Sequence, residues 1–291
     1  MLINRASLAA ATTGFKTLFN TAFSAAPSDW DKVAMLVPSA ARQETYAWLG
    51  TTTRFREWIG DRVVQNLGTH DFTIKNKTFE NTVAVQREDI EDDAIGVYSP
   101  LFQSLGADAR THPDELVFAL LKAGTSTLCY DGQYFFDTDH PVDNGSVANL
   151  TAGDATAWYL LDTSKPVKPL IFQKRRDYTF IAKTELTDDN VFKAKEFVYG
   201  VDCRANAGVG LWQLAHCSRA ALSADSLNAA IAAMMSVKGD NGKPLNVRPT
   251  LLVVPPILRT TALTLVKAET IEGTTNPNRD AVEVLISPWL A

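Results

Sequence analysis

REDIEDDAIGVYSPLFQSLGADARTHPDELVFALLKAG, residues 87–124, carries the strongest periodic signal in the chain. The acids of Asp89-Ile90-Glu91-Asp92-Asp93 stand near a helix start, where unpaired backbone amides favour negative charge. Gly96-Val97-Tyr98-Ser99-Pro100 marks a break. Beyond it Leu101, Leu105, Ala109, Leu116, Leu120 and Leu121 repeat as one apolar stripe ending at Gly124. Pro113 either bends this helix or opens the next at its first turn. A long helix with one apolar and one polar face is a candidate scaffold for a whole domain.

On the N-terminal side, residues 71–85 largely alternate apolar and polar, with Asn76-Lys77 central. This spacing predicts a β-hairpin with its turn there, and a hairpin with so little apolar mass must lie on something larger. It follows the stretch Phe55-Arg56-Glu57-Trp58-Ile59. Further upstream, Asp31–Leu49 reads as a helical stretch interrupted at Val37-Pro38-Ser39. Residues 1–27 are rich in Ala, Thr and Ser, and Phe15, Phe19 and Phe23 fall on one helical face that Pro27 ends. Such a terminal helix docks on its own domain or on a neighbouring molecule. The second option is what an assembling subunit requires.

On the C-terminal side strands take over. Trp158–Leu161, Pro169–Phe172, Tyr178–Ala182, Lys195–Tyr199 and Leu211–Ala215 all read as extended. A helix from Ser223 to Val237 follows, with Ser223 or Asp225 as cap and Gly239 as stop. Leu251–Val254 is a short buried strand, Pro256 or Ile257 opens a helix to Glu269, and Val282–Ser287 is the last strand. Strands cluster between flanking helices, so the fold class is α+β and not a regular doubly wound sheet.

At 291 residues, 46% hydrophobic and 21% charged, the chain has the composition of a globular protein with a substantial core. A net charge of -5 argues against a dedicated nucleic-acid binder. No run of about 18 apolar residues occurs, so no membrane partner is expected, and no secretory signal opens the chain. Cys129, Cys203 and Cys217 are far apart and form no metal-ligand spacing, which predicts reduced, partly buried thiols. No cofactor is expected: Gly208-Val209-Gly210 has no phosphate-loop pattern, and its glycines permit a close backbone approach.

The strongest chemical cluster is Asp131, Asp137, Asp139 and His140. It could ligate a divalent ion in a metal-assisted hydrolase. The plainer reading is an acidic, aromatic-lined turn whose carboxylates accept backbone amides. His216-Cys217 would point to opposite faces of a strand and cannot act on each other. The basic run Lys174-Arg175-Arg176 has natural complements in the acidic runs Glu88–Asp93 and Asp188-Asp189.

Several blocks together resemble the major head subunit family of Mu-like bacteriophages and prophages. They are Phe79-Glu80-Asn81-Thr82-Val83, the Arg87–Asp93 run, His112-Pro113-Asp114-Glu115-Leu116-Val117, Tyr130–Pro141, Tyr199-Gly200-Val201-Asp202, Gly210-Leu211-Trp212-Gln213 and Leu252-Val253-Val254-Pro255-Pro256. The likeness runs from about residue 30 to the C-terminus.

The resemblance implies an HK97-like phage capsid fold. It would have an N-terminal arm (1–54), an extended E-loop hairpin (55–85), a peripheral domain with a spine helix (86–199), an axial domain (200–255) and a return to the peripheral domain (256–291). It implies a structural, non-enzymatic protein whose pentamers and hexamers form an icosahedral shell around double-stranded DNA. The expected partners are further copies of the chain, a separately encoded scaffolding protein, a portal and a decoration protein, with assembly in the bacterial cytoplasm. A head-completion or tail subunit that forms rings is the alternative. On this reading the candidate intersubunit residues are Phe15, Phe19, Phe23, Arg56, Trp58, Lys75, Lys77, Glu91, Asp92, Arg175 and Arg176.

Overall fold

The structure, a computed structural model, describes residues 3–46, 72–142, 145–239, 242–271 and 273–291. Arg56, Trp58 and the first part of the expected E-loop lie outside the described residues.

The chain opens with the helix Arg5–Ala25. Asn4 caps it: its side chain accepts from the Ser7 amide at 2.9 Å, and the Ser7 hydroxyl answers the Asn4 amide at 3.0 Å. Leu8, Ala11, Phe15 and Phe19 repeat at helical spacing and are all buried. This helix lies along a second, longer one, Ser99–Lys122. Pro113 sits inside that helix, which continues through it as a single element. Gly106 explains how closely the two helices approach, because a Cβ there would stand 2.3 Å from the Phe19 carbonyl oxygen.

Both helices cover one face of a four-stranded sheet ordered Ala34–Pro38, Leu170–Lys183, Glu196–Val209, Lys77–Gln86. The first pair is parallel and the other two are antiparallel. Along Glu196–Val209 burial alternates, so Phe197, Tyr199, Val201, Cys203 and Ala205 face the helices while Val198, Gly200, Asp202 and Arg204 do not. A five-stranded sheet follows, ordered Glu283–Ile286, Leu251–Val254, Trp158–Leu161, Ala215–Ser218, Leu150–Thr151. The helices Ala224–Met235 and Arg259–Lys267 pack on it through Leu227, Ala230, Met234, Ala262, Leu265 and Val266. Ser223 caps the first of these, as its position ahead of the apolar run predicts.

Several expectations need correction. The described part of the Asp31–Leu49 stretch, residues 31–46, is not helical beyond the single turn Trp30–Val33, because Ala34–Pro38 is drawn into parallel pairing with Leu170–Lys174. Asn76 is not a hairpin turn. Thr73–Lys75 pairs with Gln43–Thr45, whereas Lys77–Gln86 pairs with Glu196–Ala205, so the chain changes partner at a buried Asn76. The Asn76 amide donates to Ser39 Oγ at 2.8 Å and to the Ala41 carbonyl at 2.9 Å, and its carbonyl accepts from Gln173 at 2.8 Å. Two strands read from the sequence, Pro169–Phe172 and Tyr178–Ala182, are one 14-residue strand with register shifts opposite Asp202–Ala205. Leu211–Ala215 is not a strand, since Trp212–Leu214 makes a 3-10 turn before Ala215–Ser218 begins.

Glu196–Val209 is continuous within the four-stranded sheet and runs through residue 200. The last strand joins the five-stranded sheet, parallel to Leu251–Val254, and only the terminal turn Pro288–Leu290 comes back to the long helix. There Leu290 is buried in the same cluster as Val117, Phe118 and Leu121. That cluster takes residues from both sheets, with Leu170, Ile171, Phe172 and Val209 on one side and Tyr159, Leu161, Leu251 and Val253 on the other.

Candidate intersubunit surfaces

The Asp131–His140 turn is the first place to look for chemistry, and its polar groups are spent on the turn itself. Asp131 accepts from the Gln133 amide at 3.2 Å, and its second oxygen lies 2.7 Å from His140 Nδ1. His140 is fully buried, stacked on Trp212 at 4.0 Å and 8°, with Nε2 3.2 Å from Asn149 Oδ1. Asn149 in turn donates to the Phe135 and Trp212 carbonyls at 2.8 and 3.3 Å. Burial works against the Asp137 carboxylate, but amides of Thr138 and Tyr134 outweigh it and hold its pKa below the ordinary value. Among the described residues no group of three or more His, Cys, Asp and Glu is placed to hold a metal ion. The cluster is a hydrogen-bonded turn wedged against Trp212.

His216 and Cys217 occupy adjacent positions on Ala215–Ser218, both buried, with His216 Nε2 2.8 Å from Thr151 Oγ1. Burial lowers the His216 pKa to about 4 and raises that of Cys217 to about 12, so this is a neutral, inert pair at neutral pH. Gly208 and Gly210 do permit close approach: added Cβ atoms would meet Ile74 Cδ1 at 2.1 Å and the Lys168 carbonyl oxygen at 2.7 Å.

The structure separates the charged candidates. Arg176 pairs with Asp202 on the neighbouring strand, and Lys174 pairs with Asp177 at 2.9 Å. Arg175 is exposed and makes no ion pair among the described residues. Lys75 and Lys77 are exposed on either side of Asn76. Glu91 pairs with Arg87 at 2.9 Å, and Asp92 ends the short helix Arg87–Glu91, so both are exposed at the far end of the sheet from Lys77. At that end Lys195 also reaches Glu88 at 3.2 Å, tying the Glu88–Asp93 run to the start of Glu196–Val209.

Phe15 and Phe19 are withdrawn from the surface. Phe15 stacks on Phe102 at 4.0 Å and meets Tyr199 edge-on at 5.2 Å, and Phe19 packs on Phe180 at 5.6 Å. The terminal helix docks on its own chain, because the face of the sheet that it covers belongs to the same subunit. Phe23, partly buried against Phe19 and Tyr178, lies at the edge of that cluster.

The sequence reading missed other exposed apolar groups. Phe192 is 84% exposed, and Val97 and Ile257 are each 77% exposed. Ile181 lies half exposed on the sheet face opposite the helices, beside Val198, Gly200 and Thr82. Phe192 leaves a faint trace in sequence, as a lone aromatic between Asp189 and Lys193 with no periodic apolar companion beyond the buried Val191. These groups are scattered over the described surface.

An arm helix, a long helix against a four-stranded sheet, and a second five-stranded module define an α+β phage capsid subunit of the HK97-like kind. Residues 8–290 match the family described as Mu-like prophage major head subunit gpT, and the chain belongs to that family. It is 46% identical over 268 residues to the Mu-like prophage FluMu major head subunit of Haemophilus influenzae, covering 88% of this chain and 87% of the relative. It is 40% identical to the major capsid protein of Escherichia phage Mu over the whole length of both chains. Among solved structures, a chain of the bacteriophage JBD30 procapsid matches with a TM-score of 0.89 at 46% identity, covering 99% of this chain and 100% of that one. A chain of the JBD30 capsid matches at 0.82 and 36% identity, with both chains fully covered. The protein is a major capsid subunit, and copies of it form the shell of a phage head.

Proposed function

We propose that the chain first forms a precursor shell and then a mature head of pentamers and hexamers around double-stranded DNA. It does so through dispersed contacts and turns over no substrate. The likeness at TM-score 0.89 to a procapsid chain, over essentially the full length of both, carries this reading. The JBD30 capsid is also described as decorated with minor capsid protein trimers, which supports a decoration partner here as well. A scaffolding protein and a portal complete the assembly, which takes place in the host cytoplasm. The four-stranded sheet with its two helices forms the peripheral part of each capsomer, and the five-stranded sheet forms the axial part.

In this reading stability is collective. Each subunit offers modest exposed patches, such as Phe192, Ile257 and the charged ends of the sheet, which repeat around symmetric contacts. The test is electron microscopy of the full chain co-expressed with the head-assembly genes of its own phage. Closed shells of uniform diameter are the expected product. Small rings alone would favour a head-completion or tail role, and monomers under every condition would overturn the reading.

A further inference from the structure

At one edge of the four-stranded sheet, a half-open cavity of about 240 Å³ lies between Lys77–Gln86 and the long helix. Its walls include Phe79, His112 and Tyr178, with Leu105, Val201 and Cys203 also lining it. The Phe79 and His112 rings meet at 4.4 Å, and His112 Nδ1 and the Tyr178 hydroxyl are hydrogen-bonded at 2.7 Å. Two exposed carboxylates, Asp108 and Glu115, also line it, and neither has an ion-pair partner among the described residues; Glu80 at the rim turns its carboxylate to Thr82 on the other face of the sheet. Aromatic rings and uncompensated carboxylates together select a cation, and a planar guanidinium uses both. The volume lies below the roughly 300–1,000 Å³ usual for small-molecule sites, so a single inserted side chain suits it better than a free ligand.

The opposite edge of the same sheet carries a matching group. Opposite Glu196–Val209 the register steps from Arg204 facing Arg176 to Ala205 facing Lys174, which leaves Arg175 as the extra residue of a bulge. Bulges re-aim side chains away from the regular ladder. Of the three consecutive cations, Lys174 and Arg176 are held by Asp177 and Asp202, whereas Arg175 is exposed and makes no ion pair among the described residues, although its charge acts on Glu44. Beyond Lys174 no described strand flanks Leu170–Lys183 on that side.

We propose that Arg175 of one subunit inserts into the Phe79–His112–Tyr178 cavity of the next, beside its Asp108 and Glu115. The contact joins two different edges of one module, so it is head-to-tail and repeats around a ring until the rotation closes. It rests on the capsid reading and supplies a specific contact within it.

The test compares R175E, E115K and the doubly substituted full chain with the parent, each co-expressed with the same assembly genes. Each single change should raise the concentration at which particles form by about tenfold, the scale of a partly desolvated cation–π and ion-pair contact. The double charge swap should restore assembly towards that of the parent. Unchanged melting temperatures of the unassembled variants separate this effect from misfolding. In a second arm, Arg175→Cys and Glu115→Cys are combined, and assembled particles are treated with a short bis-maleimide. A covalent ladder running beyond the dimer is expected. Single variants that assemble like the parent would overturn the proposal, as would a swap with no rescue, or a cross-link to another protein instead of a second copy. Failure of the parent itself to assemble would count against the capsid reading, which keeps the two failures distinct.

Discussion

Replacing Phe15 by Ala tests whether the terminal helix belongs to its own subunit. Phe15 is 1% exposed, stacked on Phe102 at 4.0 Å and edge-on to Tyr199 at 5.2 Å. Truncating a fully buried Phe costs about 3–5 kcal/mol, part of it from lost ring contacts of about 1 kcal/mol each. Against a typical domain stability of about 5–15 kcal/mol, that is a large share, and it falls on one helix. Local release of Arg5–Ala25 should therefore precede global unfolding. The assay is urea unfolding of the unassembled chain, paired with limited trypsin digestion that reads cleavage at Arg5 and Lys16. The variant should unfold at clearly lower urea and lose its N-terminal helix to trypsin first. Gly106→Ala should act in the same direction, because its Cβ would meet the Phe19 carbonyl oxygen at 2.3 Å and push the helices apart. Lys16→Ala, on the exposed face, should leave the urea midpoint unchanged, although it removes one of the two trypsin sites. If Phe15→Ala left the stability and protection of the free subunit intact but abolished shells, the helix would dock on a neighbour and the intrachain packing would be refuted.

Other outcomes follow from buried polar groups. His216 is 4% exposed and burial holds its pKa at about 4 against an ordinary 6.5. Its stabilising contribution is therefore complete above pH 6.5 and lost as pH falls towards 4, amounting to about 3 kcal/mol at most. Urea midpoints of the parent should fall across that window, and His216→Gln should flatten the fall. Asp114, buried in the long helix, accepts from the Asp29 and Trp30 amides at 2.7 and 2.6 Å, yet burial raises its pKa. Asp114→Asn keeps an acceptor without the charge, so it should match or exceed the parent's melting temperature at pH 7. Asp114→Ala leaves two amides unsatisfied and should lose about 1–3 kcal/mol. His140→Ala removes the Trp212 stack and should lower the melting temperature, while chelator or added divalent ions should leave the parent's unchanged. A metal-dependent shift there would reinstate a ligand role for Asp131 and His140.

Local features of the fold were legible in sequence where one segment suffices to determine them. The stripe from Leu101 to Leu121 announces a helix whatever lies beneath it, and Ser223 announces a cap. What stayed hidden depends on distant partners. Ala34–Pro38 is extended because Leu170–Lys174 lies alongside it, and nothing within residues 31–49 reveals that. Asn76 looks like turn chemistry, but its side chain serves a buried network with Ser39 and Gln173. Gly106 reads as a helix-weakening residue until the Phe19 carbonyl is seen against it. The charged surface was half legible. The basic triplet stands out in sequence, but only strand register shows that Arg176 faces Asp202's strand while Arg175 is bulged outward. The aromatic cavity that would receive it is assembled from four separate segments, so no spacing pattern points to it.

The two sheets have one cluster in common, reaching from Leu170 and Val209 to Leu161 and Val253 through the C-terminal half of the long helix. Close-packed interiors transmit displacement and resist shear, so the sheets have no cheap hinge between them. A head that enlarges or changes curvature must then turn whole subunits against one another. On the contact proposed above, Arg175 lies at a seam between subunits, where a change of curvature would fall.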